Sequence, residues 1–196
     1  MTERPLVLLF VAIASMVSGQ GPDDEAPAFG IAPLSEQRYE AAIACGREGP
    51  ECATSPYVLC PAELMKYSAR LATPFSRVAM SLVNTPKRLT HVRPMEMKTA
   101  NGWGAGIYVF PAQDVHESGP IRRVFIRRGE RVVEPSTATI APAANGASEG
   151  PDRFSKGYFA FPMSAFSADE DVTVVFVDSD GEVSCTLSRR RLSTLR

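Results

Sequence analysis

The densest chemistry in the sequence is the run Ile121-Arg-Arg-Val-Phe-Ile-Arg-Arg128 followed by Arg131, which sets five arginines and one glutamate within eleven residues. Successive side chains of an extended strand alternate in face. Val124 and Ile126 would then point to a core while Arg123, Phe125 and Arg127 share the opposite, exposed side. Planar guanidinium groups beside an aromatic ring suit carboxylates, phosphates or the surface of a protein partner. The same stripe also fits a solvated strand face whose charges pair with neighbours such as Glu130 or Asp171 and keep an edge from aggregating. The sole tryptophan, Trp103, stands in Gly102-Trp-Gly-Ala-Gly106. Between glycines it is either a platform for a sugar ring or a partner's apolar side chain, or a packed core residue. A strand follows these glycines, so they offer phosphate no helix N-terminus.

Catalytic arrangements are weaker. Gly146-Ala-Ser-Glu-Gly150 has the spacing of a nucleophile elbow, a motif that needs a buried strand before it and an amphipathic helix after it. Ala141-Pro-Ala-Ala-Asn145 and Pro151-Asp-Arg153 supply neither. His91 and His116 are the only histidines. Asp114 and His116 lie in a polar stretch whose ordinary explanation is surface-loop polarity, and a Ser148, His116 and Asp114 triad is a remote reading beside it. Asp169 and Glu170 are adjacent carboxylates that point apart in a strand, against the facing pair of glycoside hydrolysis. Asp178, Asp180 and Glu182 open like a calcium loop, but Val183 stands where that loop needs glycine and Arg189 where it needs glutamate. No catalytic residue, metal site or cofactor is assigned.

Four cysteines, Cys45, Cys52, Cys60 and Cys185, lie beyond an N-terminal stretch with the three-part pattern of an export signal. Met1-Thr-Glu-Arg4 precedes the apolar run Leu6 to Ala14, and the small residues Ser15, Val17, Ser18 and Gly19 follow. That run is shorter than the roughly 20 residues a membrane-spanning helix requires, so cleavage is expected within a few residues of Gly19, leaving no permanent span; an uncleaved anchor is the alternative, because Glu3 cancels Arg4 in the n-region. An even cysteine count behind such a signal implies two disulfides in an oxidising compartment. Three pairings are possible and the sequence leaves the choice open; Cys45 with Cys52 as a local clasp and Cys60 with Cys185 as a long staple are the favoured pairs. The cysteine spacings do not match those of structural zinc sites. Glu3 and Arg4 leave together, so the formal net charge stays at −1, which gives no electrostatic case for nucleic acid.

The elements that must position these residues read as one domain over 35–196, after a signal peptide over 1–19 and a flexible leader over 20–34. Ser35 is placed to cap a helix over 36–45 that Gly46 would end. Pro61 to Leu71 has loose helical spacing, with strand as the alternative. Thr73-Pro74 opens a helix through Phe75, Val78, Ala79 and Leu82, with Asn84 and Pro86 as its stop and strand as the alternative, since Val78, Met80 and Leu82 also alternate. From Gly106 onward period-two patterning predicts strands at 107–110, 121–128, 131–133, 158–161, 172–177 and 183–187. Hairpin turns fall at Arg128-Gly129-Glu130 and Asp178-Ser-Asp-Gly181. The stretch 134–156 reads as a long loop, mobile or functional. The expected fold is mainly β, with α+β as the near alternative: an antiparallel sandwich or partly open barrel with one to three short N-terminal helices.

The function expected from these residues is a non-enzymatic binding or interaction protein of the bacterial periplasm or cell surface. Arg123, Phe125, Arg127 and Trp103 are its contact residues, and an envelope protein or an anionic polymer is its partner. The basic tail Arg189-Arg-Arg191 with Arg196 would favour the same anionic surroundings. An envelope hydrolase, using Ser148 with His116 or the carboxylates Asp169 and Glu170, is the competing expectation. A structural or assembly factor whose 134–156 loop orders on a partner is the third.

Overall fold

A computed structural model of the chain describes residues 31–60, 64, 66–83, 93–111, 121–142 and 154–196. Helix α1 (Glu36–Glu48) begins where the sequence implies: the Ser35 hydroxyl accepts from the Arg38 N–H at 3.4 Å, and Glu36 lies in the first turn. Gly46 does not end it. An ideal Cβ on Gly46 would stand 2.4 Å from the carbonyl oxygen of Ala79, so this glycine marks the crossing of α1 with a second helix. The helix stops at Gly49, whose φ of 125° lies in the region that favours glycine. A short helix α2 (Pro50–Ala53) and a 3-10 turn over Ser55–Tyr57 then lead into strand β1 (Val58–Leu59).

Strand β2 (Tyr67–Ala72) replaces the helix considered for Pro61 to Leu71. Its buried residues Tyr67, Ala69 and Leu71 alternate with Ser68 and Arg70, and it pairs along its whole length with β3 (Ala105–Pro111). That long-range pairing outweighs the loose local pattern. Helix α3 (Pro74–Val83) opens as expected, through a reciprocal cap. The Ser76 N–H donates to the Thr73 hydroxyl at 3.0 Å, and the Thr73 N–H donates to the Ser76 hydroxyl at 2.8 Å. Its proposed stop at Asn84 and Pro86 lies outside the described residues. Helix α4 (Met97–Gly102) precedes β3.

The remaining elements are β4 (Arg123–Arg128), β5 (Arg131–Val133), β6 (Thr137–Pro142), β7 (Phe154–Phe161), β8 (Val172–Val177), β9 (Glu182–Leu187) and helix α5 (Arg189–Thr194). They complete two antiparallel sheets, one ordered β1-β2-β3-β7-β6 and one ordered β5-β4-β8-β9. The inward residues Leu71, Ile107, Val109 and Phe159 of the first sheet share a single core with Val124, Ile126, Val174 and Phe176 of the second. The result is a sandwich-like α+β fold. Both expected hairpin turns are present, with Gly129 and Gly181 at φ of 53° and 136°.

Three segments differ from the sequence reading. Strand β6 occupies part of the stretch taken as a loop, because its Thr and Ala residues pair with β7 from Thr137 to Pro142. Ile31 and Leu34, placed in a flexible leader by composition, are buried, and Asn101 fixes Leu34 by accepting from its N–H at 2.7 Å and donating to its carbonyl at 3.1 Å. The basic tail is helical, capped by Ser188 and anchored by the buried Leu192. Among the described residues no helix is long and apolar enough to cross a membrane, and the expected signal over 1–19 lies outside them.

The disulfides are Cys45–Cys52 and Cys60–Cys185, with Cα atoms 5.5 and 5.8 Å apart. The first ties α2 back onto α1, and the second joins the end of β1 in one sheet to β9 in the other. In the loop-entropy picture, a closure spanning 125 positions stabilises the fold by about 4 to 5 kcal/mol. Two such bonds are compatible with a protein outside the cytoplasm.

Candidate functional site

The arginine strand spends much of its charge on its own scaffold. Arg123 forms an ion pair with Glu134, and the guanidinium groups of Arg123 and Arg127 lie 4.6 and 5.6 Å from the Phe125 ring centroid. Phe125 is only 4% exposed. The three residues do share one face, but the ring lies buried where alternation implied an exposed stripe. Val175, directly across on β8, is likewise buried. Farther along, Arg128 sits between Asp169 at 2.6 Å and Glu170 at 2.8 Å and donates to the Ser164 carbonyl at 2.7 Å. Ser167 first, and then Arg128, hold the Asp169 carboxyl below its usual range. The carboxylates considered for hydrolysis therefore clamp an arginine.

The Asp178 carboxylate is also occupied. It accepts from the Tyr67 hydroxyl at 2.9 Å and from the N–H groups of Asp180 and Gly181 at 2.7 and 3.1 Å, while Asp180 pairs with Lys66. This geometry fixes the β8–β9 turn and its seat on β2. Ser148 with its Gly146–Gly150 motif, Asp114, His91 and His116 lie outside the described residues.

Trp103 leads to a different place. It follows α4 and is 52% exposed, on the outer side of the five-stranded sheet. Strand register there lines up Arg70, Tyr108, Tyr158 and Thr139 as direct cross-strand neighbours over β2, β3, β7 and β6. The next outward row, Ala72, Gly106, Ala160 and Thr137, is made of small residues. Tall aromatic side chains thus stand beside a low floor. Tyr108 and Tyr158 have ring centroids 4.7 Å apart.

Arg77 of α3 reaches into this arrangement. It is the only charged residue between Leu71 and Pro86, and it is 6% exposed. Its guanidinium carbon lies 5.2, 5.8 and 5.3 Å from the ring centroids of Trp103, Tyr108 and Tyr158. Nη1 donates to the Tyr108 hydroxyl at 3.3 Å and Nη2 to the Tyr158 hydroxyl at 2.6 Å. The buried Nε has no hydrogen-bond partner among the described residues. No carboxylate pairs with this arginine among the described residues. A buried charge is costly unless compensated; here three ring faces and two hydroxyls compensate, each ring contact worth on the order of 1 kcal/mol.

Two cavities share Arg77, Trp103 and Tyr108 as a common wall. One, of about 360 Å³, is lined by Met80, Met95 and Phe110, with the exposed Arg70 and the buried Tyr57 also in its lining. The other, of about 470 Å³, lies over the small-residue floor toward Ser136, Thr137 and Ala160. Neither has an Asp or Glu among its described lining residues. Both volumes fall in the range of small-molecule sites. Burial holds the Tyr57 phenol above its ordinary value, so it stays neutral.

The nearby serine hydroxyls are engaged in the scaffold. Ser76 belongs to the α3 cap, and Ser81 donates to the Val78 carbonyl at 2.6 Å and accepts from the Met95 N–H at 3.0 Å. The groove presents a buried cation, aromatic rings and apolar side chains.

Sequence reasoning reached Trp103 but missed Arg77, Tyr108 and Tyr158. The available signal was a lone arginine inside an otherwise uncharged helix, a position where charge is either exposed or made to serve a purpose. No protein-family model matches the chain, and comparison with curated proteins and with solved structures finds no significant match.

Proposed function

We propose that this chain is a non-enzymatic binding protein working outside the cytoplasm, and that its ligand site is the groove around Arg77 and Trp103. The observation that carries the reading is the Arg77 guanidinium: buried, ringed by three aromatic side chains, and without an anionic partner among the described residues. A scaffold seldom keeps such a charge for stability alone, because a well-packed apolar residue usually serves as well or better. A ligand that brings the missing negative charge gains from a site already desolvated and oriented.

This reading moves the contact surface from the arginine strand to the opposite sheet and keeps Trp103. Arg123 supports it from the other side, since its own ion pair with Glu134 already satisfies its charge. The test is a thermal-shift screen of small anions, cations and neutral compounds against the wild type, Arg77→Gln, Trp103→Ala and the double variant Arg123→Ala/Arg127→Ala. The reading expects compounds that raise the wild-type melting temperature to lose that effect in the two groove variants and retain it in the double variant. The reverse pattern would return the site to the arginine strand.

A further inference from the structure

We infer that the ligand of this groove is a carboxylate carrying an apolar body, with the carboxylate on Arg77 and the body in the cavity along Met80, Met95 and Phe110. The inference rests on the binding reading above and specifies its ligand class.

Three features select this chemistry. Among the described residues, Arg77 Nη1 and Nη2 each donate to one protein acceptor, the hydroxyls of Tyr108 and Tyr158, and each terminal nitrogen carries a second N–H. The planar fork of an arginine matches a carboxylate with two parallel hydrogen bonds, which are stronger when both partners are charged. One buried guanidinium also balances one negative charge. Among the described lining residues the one further cation for a second ligand charge is the exposed Arg70, and that second charge would bear the full cost of desolvation in an apolar groove.

The third feature is the cavity wall. Beyond Arg77 its apolar lining includes Met80, Met95, Phe110 and the Trp103 ring. Methionine side chains adapt to the shape of an apolar partner, and a wall of this kind contributes binding through area removed from water. A ligand with a charged head and an apolar tail satisfies both ends of the cavity at once.

The experiment uses the secreted, oxidised protein and reads Trp103 emission, which has no background because the chain holds a single tryptophan. Decanoate, decanol and decyl phosphate are titrated under identical conditions, with calorimetry in parallel. Decanoate is expected to bind at least about 10-fold tighter than decanol, the scale of a charge-assisted hydrogen bond, and tighter than decyl phosphate. The decanoate preference should vanish in Arg77→Gln. If decanol or decyl phosphate binds as tightly as decanoate while all three still move Trp103 emission, the carboxylate assignment is overturned and the groove reading stands. If calorimetry detects binding that leaves Trp103 emission unchanged, both are overturned. Absence of any binding overturns the ligand class. Should Arg77→Gln fail to fold, the ratio of head groups on the wild type decides alone.

Discussion

The ring of Tyr158 occupies the space that a side chain on Gly106 would need: an ideal Cβ at Gly106 would stand 2.5 Å from Tyr158 Cε2 and 2.7 Å from its hydroxyl. Directly across the β3–β7 pair from Tyr158 is Tyr108, and Gly106 lies one outward position along β3. The missing Cβ lets Tyr158 lean over the small-residue row and place its hydroxyl 2.6 Å from Arg77 Nη2. Gly106→Ala should therefore rotate Tyr158 away from Arg77 and weaken ligand binding roughly 10-fold, with a stability loss of about 1 to 3 kcal/mol from overpacking. In the pair Gly106→Ala and Tyr158→Ala the losses should be strongly non-additive when measured by titration and denaturation. Additive losses would separate the two residues.

A similar relationship joins Gly46 to Ala79. The Cβ absent from Gly46 would meet the Ala79 carbonyl, which is backbone and cannot rotate aside. Gly46→Ala should push α1 off α3 and lower stability by about 2 kcal/mol or more, despite the better helix propensity of alanine. Equilibrium urea denaturation checks this. An unchanged or raised midpoint would mean that the helices adjust freely.

The two disulfides should separate stability from binding. Replacing Cys60 and Cys185 with Ser removes the long closure and should lower the melting temperature far more than replacing Cys45 and Cys52, whose closure spans only seven positions. The short clasp holds α2 and the following turn, which supply Ala53, Thr54 and Tyr57 to the wall of the smaller cavity. Its loss should weaken ligand binding several-fold while leaving most of the melting temperature intact. Thermal denaturation and a ligand titration of each double variant give both readings.

The Tyr67–Asp178 hydrogen bond predicts an alkaline transition. Burial first, and then the hydrogen bond to the Asp178 carboxylate, push the Tyr67 phenol well above its ordinary value of 10.0. A group whose value is higher in the folded state than in the unfolded one contributes stability below the unfolded value, and that contribution is lost as pH rises toward the folded value. Wild-type stability should therefore fall above about pH 10. Tyr67→Phe should be less stable by about 1.5 to 3 kcal/mol near neutrality and show a flatter decline above pH 10. Denaturation midpoints across that range test the sign; parallel curves for the two proteins would contradict it.

How far the residues disclosed the fold depends on how local each signal was. The strands at 131–133 and 172–177, the caps at Ser35 and Thr73, both hairpin turns and the presence of two disulfides were legible because each rests on neighbouring residues or on a compartment rule, whereas the pairing of the cysteines was one of three the sequence allowed. Strand β2 was ambiguous because Ala69, Arg70 and Leu71 acquire their faces only by pairing with β3. Gly46 looked like a helix end since its requirement comes from Ala79, thirty-three positions away. Strand β6 was hidden among Thr, Ala and Pro for a related reason: it is an edge strand defined by its partner β7. The site was the least legible part. Arg77, Trp103, Tyr108 and Tyr158 come from a helix, a turn and two strands, and no spacing in the chain joins them.

The most direct test of the Arg77–Trp103 groove as the ligand site is the arginine Nε–Hε spectrum of the nitrogen-15-labelled protein, with Arg77 assigned by its absence in Arg77→Lys. On addition of decanoate, the resonance of Arg77 should move and those of Arg123 and Arg127 should stay in place. Movement of Arg123 and Arg127 with Arg77 unchanged would contradict the account and assign recognition to the arginine strand.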